Sequence, residues 1–477
     1  MVGLTKQQVV KGIVWSAADK VGVILIQLAL ELLIARYLMP SDYGVVGMAT
    51  VFITLGSIFS ESGFSNALIS MQNRTEVDFS TAFYFNLFVS VVFTGVVFFI
   101  APLVAQYFKT DILVDVLRII SLCIVFNALV MVHKTKLSIE LNFKTQAKIS
   151  FLALIISGVS GLIMAINGFG VWALVTQMLL QSILSFLFFQ LFYKWIPLPV
   201  FSKESFHNLF GFGFNLLLAG LVQNIYINLY SVFIGRKMST TTLGLYSKSN
   251  QFTSFPAGLI SGIIQRVVFP YFSLHQNDNA KIARLNESFT RMVCLIVFPL
   301  FVYLCVFAEP LVHYGLSDRW LSAVVIIQLL AIAYIVQPII VNNMFLLQVK
   351  KKTKLYFVVE IITKITGFTI LFLTIDKGIE VLCYGLIVQL FLQLLITSYF
   401  ANMLIGGNMF IQLGIIIPYL VLGAITWGII TYFFSHLEYF SFLVYGSIMF
   451  VVFYGLSYFV LFKKHILEVL QLVKKNN

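Results

Sequence analysis

Apolar stretches of about twenty residues, separated by short polar breaks, run through almost the whole sequence. A helix needs about 20 apolar residues to cross the hydrocarbon core of a bilayer, so each stretch predicts a membrane span. The alternation expected of barrel strands is missing, which makes the predicted spans helices. The pattern predicts about fourteen helices, near residues 12–35, 44–66, 80–105, 112–132, 147–167, 171–193, 208–234, 243–265, 289–309, 321–347, 355–375, 380–402, 411–434 and 440–462.

The composition indicates an all-α polytopic membrane protein with almost no soluble domain. Hydrophobic residues make up 60% of the chain and charged residues 10%, whereas soluble domains carry about 25% charged residues. A soluble fold of this length could not bury so much apolar surface, but a bilayer accepts it. The first stretch contains charged residues and has no small-residue cleavage site, so we expect it to remain as the first span.

The net charge of +12 does not indicate nucleic-acid binding. Lysine and arginine residues collect in the short loops, as the positive-inside rule requires. With the N-terminus inside, most of these loop charges fall on the cytoplasmic side. The bias predicts that both termini are cytoplasmic, which needs an even number of spans but does not decide between twelve and fourteen.

A weak internal repeat divides the predicted spans. Four identities recur at a spacing of 200 residues, pairing Ile34 with Ile234, Arg36 with Arg236, Gly44 with Gly244 and Phe52 with Phe252. Both copies fall at an outside loop that joins an odd span to an even one. We therefore predict two six-helix lobes, residues 1–200 and 201–405, arranged as parallel repeats. Residues 406–477 add two helices and a cytoplasmic tail.

Ionisable residues inside the spans are the first candidates for function. Each costs about 2.5–3.5 kcal/mol at the bilayer centre, so it usually faces a cavity or a partner. Lys20 and Glu31 share the polar face of the first span, and Glu61 continues the polar face of the second. We predict that these three residues line a water-filled cavity. The alternative for Lys20 is a local pair with Asp19.

The seventh and eighth spans carry a second polar group. Asn224 and Asn228 share one helical face, and Lys248, Asn250 and Gln251 open the next span. Amide side chains both donate and accept hydrogen bonds, as recognition of sugar hydroxyls requires. The alternative, equally compatible with the pattern, is that these amides join helices to one another in lipid.

The eleventh span contains Glu360 and Lys364 at i and i+4, the favourable order for a helical ion pair. We predict that the two side chains face the cavity and are coupled. The alternative is a purely structural pair, whose net cost is small once the charges are matched.

Catalytic, metal and cofactor signatures are missing from the sequence. It contains no phosphate-binding loop, zinc-protease motif or nucleophile elbow. The cysteines lie in apolar stretches without metal-ligand or redox spacing, at Cys123, Cys294, Cys305 and Cys383. We therefore predict a protein that is not an enzyme and that binds no cofactor or metal.

Several segments resemble the Wzx-type polysaccharide flippases of the multidrug/oligosaccharidyl-lipid/polysaccharide exporter superfamily. The resemblance in sequence covers residues 10–400. The last two spans agree with the family by topology alone. The matching segments are RYLMPSDYG (36–44), ESGFSNALI (61–69), DFSTAFYFN (78–86), NGFGVWALVTQ (167–177) and LGLYSKSNQF (243–252).

This resemblance implies a V-shaped bundle of two lobes that alternates between inward-open and outward-open states. It implies a polyprenyl-diphosphate-linked oligosaccharide as cargo, moved across the bacterial cytoplasmic membrane for O-antigen, capsule or exopolysaccharide synthesis. Contact with polysaccharide assembly machinery is compatible with that role. The family has no single invariant site, so the resemblance adds the expectation of cavity-lining cations and no defined residues.

Two other functions remain open at this point. A multidrug or cation antiporter of the same superfamily would need an acidic cavity, whereas the candidate residues carry both signs. A membrane polysaccharide polymerase or ligase would need a long outer loop with catalytic residues, and the sequence has none. For a flippase, we predict that Lys20 and Lys248 contact the diphosphate in turn, each acting as a point charge.

Overall fold

The computed structural model describes residues 22–23, 26–61 and 63–474, and the description is almost entirely α-helical. Two short 3₁₀ turns, Asp318–Trp320 and Ile375–Lys377, interrupt the loops. The helices are α1 Ile26–Ala35, α2 Pro40–Glu61, α3 Phe64–Ser70, α4 Glu76–Phe108, α5 Leu113–Ile120, α6 Leu122–Ile139, α7 Phe143–Ile166, α8 Val171–Phe192, α9 Lys203–Lys237, α10 Thr240–Leu274, α11 Asn279–Val306, α12 Ala308–Gly315, α13 Ala323–Tyr334, α14 Gln337–Val349, α15 Thr353–Thr374, α16 Ile379–Ile405, α17 Met409–Phe434 and α18 Tyr439–Lys474.

The predicted all-α membrane class is confirmed. Within the described ranges, 11 helical stretches are long and apolar enough to cross a membrane, and each coincides with a predicted span. Helices α9 and α10 lie at the seventh and eighth predicted spans, are 35 residues long and are more polar. Helix α1 is the end of the first predicted span. The count of fourteen spans stays a prediction.

Three of the spans are broken into two helices, and each break has a local cause. Gly63 adopts a left-handed backbone with φ 71° between α2 and α3, a conformation that glycine allows at no steric cost. The hydroxyl of Thr94 donates to the carbonyl of Ser121 at 3.1 Å, between α5 and α6. Pro338 lies in the first turn of α14, where its missing N–H leaves the preceding turn without a donor.

The chain forms two compact units, one ending at Gly244 and the other starting at Leu245. In the first unit α7 packs along α8, and α4 packs on α5, α6 and α9; α9 also packs on α2 and α3. In the second unit α11 packs on α13 and α17, and α16 packs on α13, α14 and α15. The predicted lobe boundary lies at residues 200–201, before α9, and the six-helix repeat stays a prediction.

Loops assigned to the same membrane face contact one another within each unit. In the first unit the ammonium of Lys136, at the end of α6, binds Glu76 at the start of α4, and the indole of Trp195, after α8, donates to the same carboxylate. In the second unit Lys350, after α14, donates to the carbonyl of Gln276, before α11. These contacts agree with the predicted order of crossings, while the inside or outside assignment stays a prediction.

The first turns of α2 and α10 approach each other at two glycines. A methyl group built on Gly44 would lie 1.8 Å from the carbonyl oxygen of Thr240, and one built on Gly244 would lie 1.6 Å from that of Pro40. Pro40 and Thr240 are separated by the same 200 positions as the two glycines, so the contact is reciprocal at the repeat spacing. Only a residue without a side chain fits at either position.

We expect Gly44→Ala and Gly244→Ala to destabilise the protein, because each added methyl group overlaps a backbone oxygen that cannot rotate away. Overpacking of this kind costs about 1–3 kcal/mol. Gly95→Ala in α4 is the matched control, since a methyl group there would meet nothing within 4 Å. Thermal unfolding of the detergent-solubilised protein measures the difference. Equal melting temperatures for the Gly44 and Gly95 variants would contradict the close crossing.

Candidate functional site

The predicted polar faces of α2 and α9 meet in the first unit. The amide of Asn228 lies 3.3 Å from the hydroxyl oxygen of Thr54 and also donates to the carbonyl of Asn224 at 2.9 Å. The amide of Asn224 donates to the carbonyl of Gly220, and Thr54 donates to its own helix. Both asparagines are half-buried. The structure thus brings together two polar faces that the sequence predicted separately. Some of the hydrogen-bonding groups on these faces already bind other groups of the helices.

The other candidates of the first unit are placed less completely. The amide of Gln27 donates to Glu31 Oε1 at 2.9 Å along α1, as expected of residues on one helical face. Glu31 is half-buried. Lys20 lies outside the described residues, and Glu61 is the last residue of α2, with its side chain outside the description. The prediction that these charges line a cavity therefore stays a prediction.

Lys248 is the most deeply placed charge among the candidates. Its side chain is 2% exposed, its Nζ donates to Gln251 Oε1 at 3.1 Å, and it lies 5.6 Å from the centre of the Phe252 ring. Asn250 accepts a hydrogen bond of 2.6 Å from the hydroxyl of Tyr334 on α13. A charge at this depth requires polar partners. The structure pairs Lys248 with Gln251 as neighbours and directs Asn250 to another helix.

Glu360 and Lys364 lie one turn apart on α15, which packs on α14 and α16 in the second unit. Both side chains are half-buried, as is Tyr356 one turn earlier. Thr363 is buried against the unit and donates to the carbonyl of Glu360 at 2.9 Å. The two charges thus lie on a partly covered face of the helix, and their coupling stays a prediction.

A charged cluster that sequence reasoning missed lies at the loop end of the first unit. The ammonium of Lys136 binds both oxygens of Glu76, at 2.6 and 2.8 Å, and Trp195 Nε1 donates to the same carboxylate at 2.8 Å. The ammonium also lies 4.5 Å from the centre of the Phe79 ring and 5.0 Å from that of Trp195. These residues are far apart in sequence, so no local pattern reveals their contact.

A buried amide network, also missed, joins four helices of the second unit. The amide of Gln412 on α17 donates to Asn343 on α14 at 3.0 Å, and the amide of Asn402 on α16 donates to Gln412 at 2.9 Å. Asn342 donates to Asn286 on α11 at 2.7 Å. All of these side chains are buried. In lipid, such amides bind helices to one another, so the network fixes α17 on the unit.

No group of three His, Cys, Asp or Glu residues that could hold a metal ion occurs in the described part of the chain. The four cysteines are buried free thiols.

The sequence profile of the "Polysaccharide biosynthesis protein" family matches residues 33–325, more than half of the chain. The chain belongs to this family. The resemblance predicted from the sequence segments is thereby confirmed. The matched region of this polysaccharide biosynthesis protein contains the α2–α9 contact and Lys248, whereas Glu360 and Lys364 lie beyond it.

Two curated relatives share much of the length of this family member. The teichuronic acid biosynthesis protein TuaB of Bacillus subtilis is 26% identical over 359 residues, which are 75% of this chain and 74% of TuaB. The succinoglycan biosynthesis transport protein ExoT of Rhizobium meliloti is 23% identical over 325 residues, which are 68% of this chain and 66% of ExoT.

Among solved structures, the fold is similar to that of the lipid II flippase MurJ in an inward closed conformation. The TM-score is 0.74 at 16% identity, and the match covers 94% of this chain and 100% of the MurJ chain. At this identity the match establishes the fold. The polysaccharide biosynthesis protein therefore has a MurJ-like helical fold.

We expect the single variants Glu360→Gln and Lys364→Met each to reduce polysaccharide export more than the double variant does. Each single change removes one partner of the predicted pair and keeps the other charge on a partly covered face, whereas the double change removes both charges. Polar pairs in membranes are coupled by about 0.6 kcal/mol on average, or about threefold. Cell-surface polysaccharide at equal membrane abundance of the protein measures the effect, with exposed Glu380→Gln as the control. Normal export in both single variants would refute the coupling.

Proposed function

We propose that this protein is a flippase that moves a polyprenyl-diphosphate-linked oligosaccharide from the cytoplasmic to the outer leaflet of the bacterial cytoplasmic membrane. The observation that carries the proposal is membership of the polysaccharide biosynthesis family in a chain composed largely of membrane-crossing helices. Moving a precursor across the membrane is a step of polysaccharide biosynthesis that suits such a chain. The names of ExoT, a transport protein, and MurJ, a flippase, support the same step.

The physical task explains why polar residues occur in these helices. A sugar diphosphate cannot enter hydrocarbon without losing its hydration, while the polyprenyl tail prefers lipid. Lys20 and Lys248 would neutralise the diphosphate, with each ammonium acting as a point charge. Amides such as Asn224, Asn228 and Gln251 would replace water around the sugars. In this proposal Lys248 exchanges its contact with Gln251 for the phosphate during transport.

Access would alternate by movement of two six-helix lobes, residues 1–200 and 201–405, with both termini in the cytoplasm. Repeats of this kind change access largely as rigid bodies. The reciprocal contact of Gly44 and Gly244 at the repeat spacing supports such a pseudo-symmetric arrangement. Residues 406–477 stand outside the repeat. The product released outside would pass to polysaccharide assembly machinery.

We expect Lys20→Ala and Lys248→Met each to lower export of surface polysaccharide by about tenfold, the effect of losing roughly 1.4 kcal/mol from a charge-assisted contact. Methionine retains much of the volume of Lys248, so the buried site stays filled. Lys248→Arg should retain part of the activity, and exposed Lys354→Ala is the control. Intact cells should accumulate the lipid-linked oligosaccharide on the cytoplasmic side.

Two results would contradict this role of the lysines. The first is full export in both single variants at normal membrane abundance. The second is restored export when Lys20→Ala is combined with Asp19→Ala, which would show that Lys20 merely neutralises its neighbour.

A further inference from the structure

The connector between α8 and α9 is held against the first unit along its length. Its sequence, residues 194–202, contains two prolines, which favour an extended backbone. The backbone N–H of Leu198 donates to the hydroxyl of Ser80 at 2.9 Å, and that of Ser202 donates to the hydroxyl of Thr81 at 3.1 Å. Two successive side chains of α4 therefore bind the backbone of the connector.

Trp195 fixes the start of the connector. Its side chain is buried, its ring lies 5.8 Å from that of Phe83 and 5.4 Å from that of His133, and its N–H donates to Glu76. Just before it, the hydroxyl of Tyr193 donates to the carboxylate of Glu140, at the end of α6. Burial together with that bond raises the pKa of Tyr193. The tyrosine thus remains a protonated donor, and the connector is attached by side chain and backbone together.

The attached connector presents apolar side chains outward. Ile196 is 82% exposed, and Leu198, Val200 and Phe201 are 43%, 46% and 50% exposed. Because Trp195 occupies the inward position and the backbone is bound to α4, the connector holds these side chains at the surface, where the Phe201 ring lies 5.9 Å from that of Phe206. A fixed row of exposed aliphatic and aromatic side chains is costly in water. Some apolar phase must cover it.

The surroundings of this row indicate that the covering phase is lipid. Leu191 and Phe192 on the last turn of α8, a membrane-crossing helix, are also exposed and lead directly into the connector. Exposed Lys194 and Lys203 lie at its two ends, and the ammonium of Lys148 lies 4.1 Å from the ring centre of Phe192. Apolar side chains flanked by lysines match the boundary between acyl chains and anionic headgroups.

We infer that residues 194–203 form an interfacial anchor that binds anionic phospholipid. Ile196 and Phe201 insert at the level of the upper acyl chains, and Lys194 and Lys203 contact the phosphates. The occupant is the bilayer itself, because the row continues the lipid-facing surface of α8. The inference does not depend on the proposed cargo, so its failure would leave the flippase proposal standing.

The depth of the connector can be measured with a spin label at Ile196→Cys in nanodiscs of phosphatidylcholine and phosphatidylglycerol. We expect the label at position 196 to collide more often with oxygen than with a water-soluble nickel chelate. Its depth in the bilayer should lie between the depths of two control labels. Leu187→Cys on α8 reports the acyl region, and Asn277→Cys in the exposed α10–α11 turn reports water. Phe201→Cys provides a second labelling site if the first variant fails to fold.

Lipid preference tests the charges separately. Native mass spectrometry of the protein released from mixed nanodiscs should show retained phosphatidylglycerol in preference to phosphatidylcholine. We expect that preference to fall about fivefold for each of Lys194→Gln and Lys203→Gln. Exposed Lys354→Gln in the second unit is the charge-matched control. The number of retained lipids is independent of transport, so the experiment separates the anchor from the proposed function.

Three results would overturn the inference. A label at both connector sites that is more accessible to the nickel chelate than to oxygen would place the row in water. Dipolar coupling between labels on two copies would show that protein covers it. An unchanged preference for phosphatidylglycerol in the variant that combines Lys194→Gln with Lys203→Gln would show that these lysines do not contact the anionic headgroups.

Discussion

Every polar group of this protein that enters the hydrocarbon must find its partner within the protein, because lipid offers none. The helices satisfy this constraint for the backbone, and hydroxyls satisfy it by donating to their own helix, as Thr54 does. Amides and charges need partners on other helices or in a cavity. Their placement therefore separates helix faces that hold the fold together from faces available to a polar cargo.

The two units meet this constraint with different kinds of polar chemistry. In the second unit, buried amides centred on Gln412 and Asn343 bind each other, which joins α11, α14, α16 and α17 in a network suited to rigidity. In the first unit, the ion pair of Lys136 and Glu76 is capped by Trp195 at the loop end. These contacts hold helices and loops of the fold together. In the proposed function, the half-buried asparagines of α9 and the ammonium of Lys248, which binds Gln251, are the groups that exchange their contacts for a ligand during transport.

The sequence reveals the helices and their polar faces better than it reveals contacts between residues that are far apart along the chain. Hydropathy located the membrane helices, because apolar length alone decides whether a segment crosses a bilayer. The polar faces on α2 and α9 were also visible from helical periodicity. Their contact through Thr54 and Asn228 was not, since the two residues are 174 positions apart. The connector was invisible for the same reason: nothing in its own residues shows that hydroxyls of α4 bind its backbone.

Transport by the purified protein is the most direct test of the account. The chain would be reconstituted in liposomes whose inner leaflet contains the lipid-linked oligosaccharide extracted from the cells that produce it. A membrane-impermeant glycosidase outside then reports the arrival of headgroups in the outer leaflet. We expect the lipid-linked oligosaccharide that starts in the inner leaflet to become accessible to the glycosidase far faster with the protein than in protein-free liposomes. Equal rates with and without correctly folded protein, or movement of organic cations instead, would contradict it.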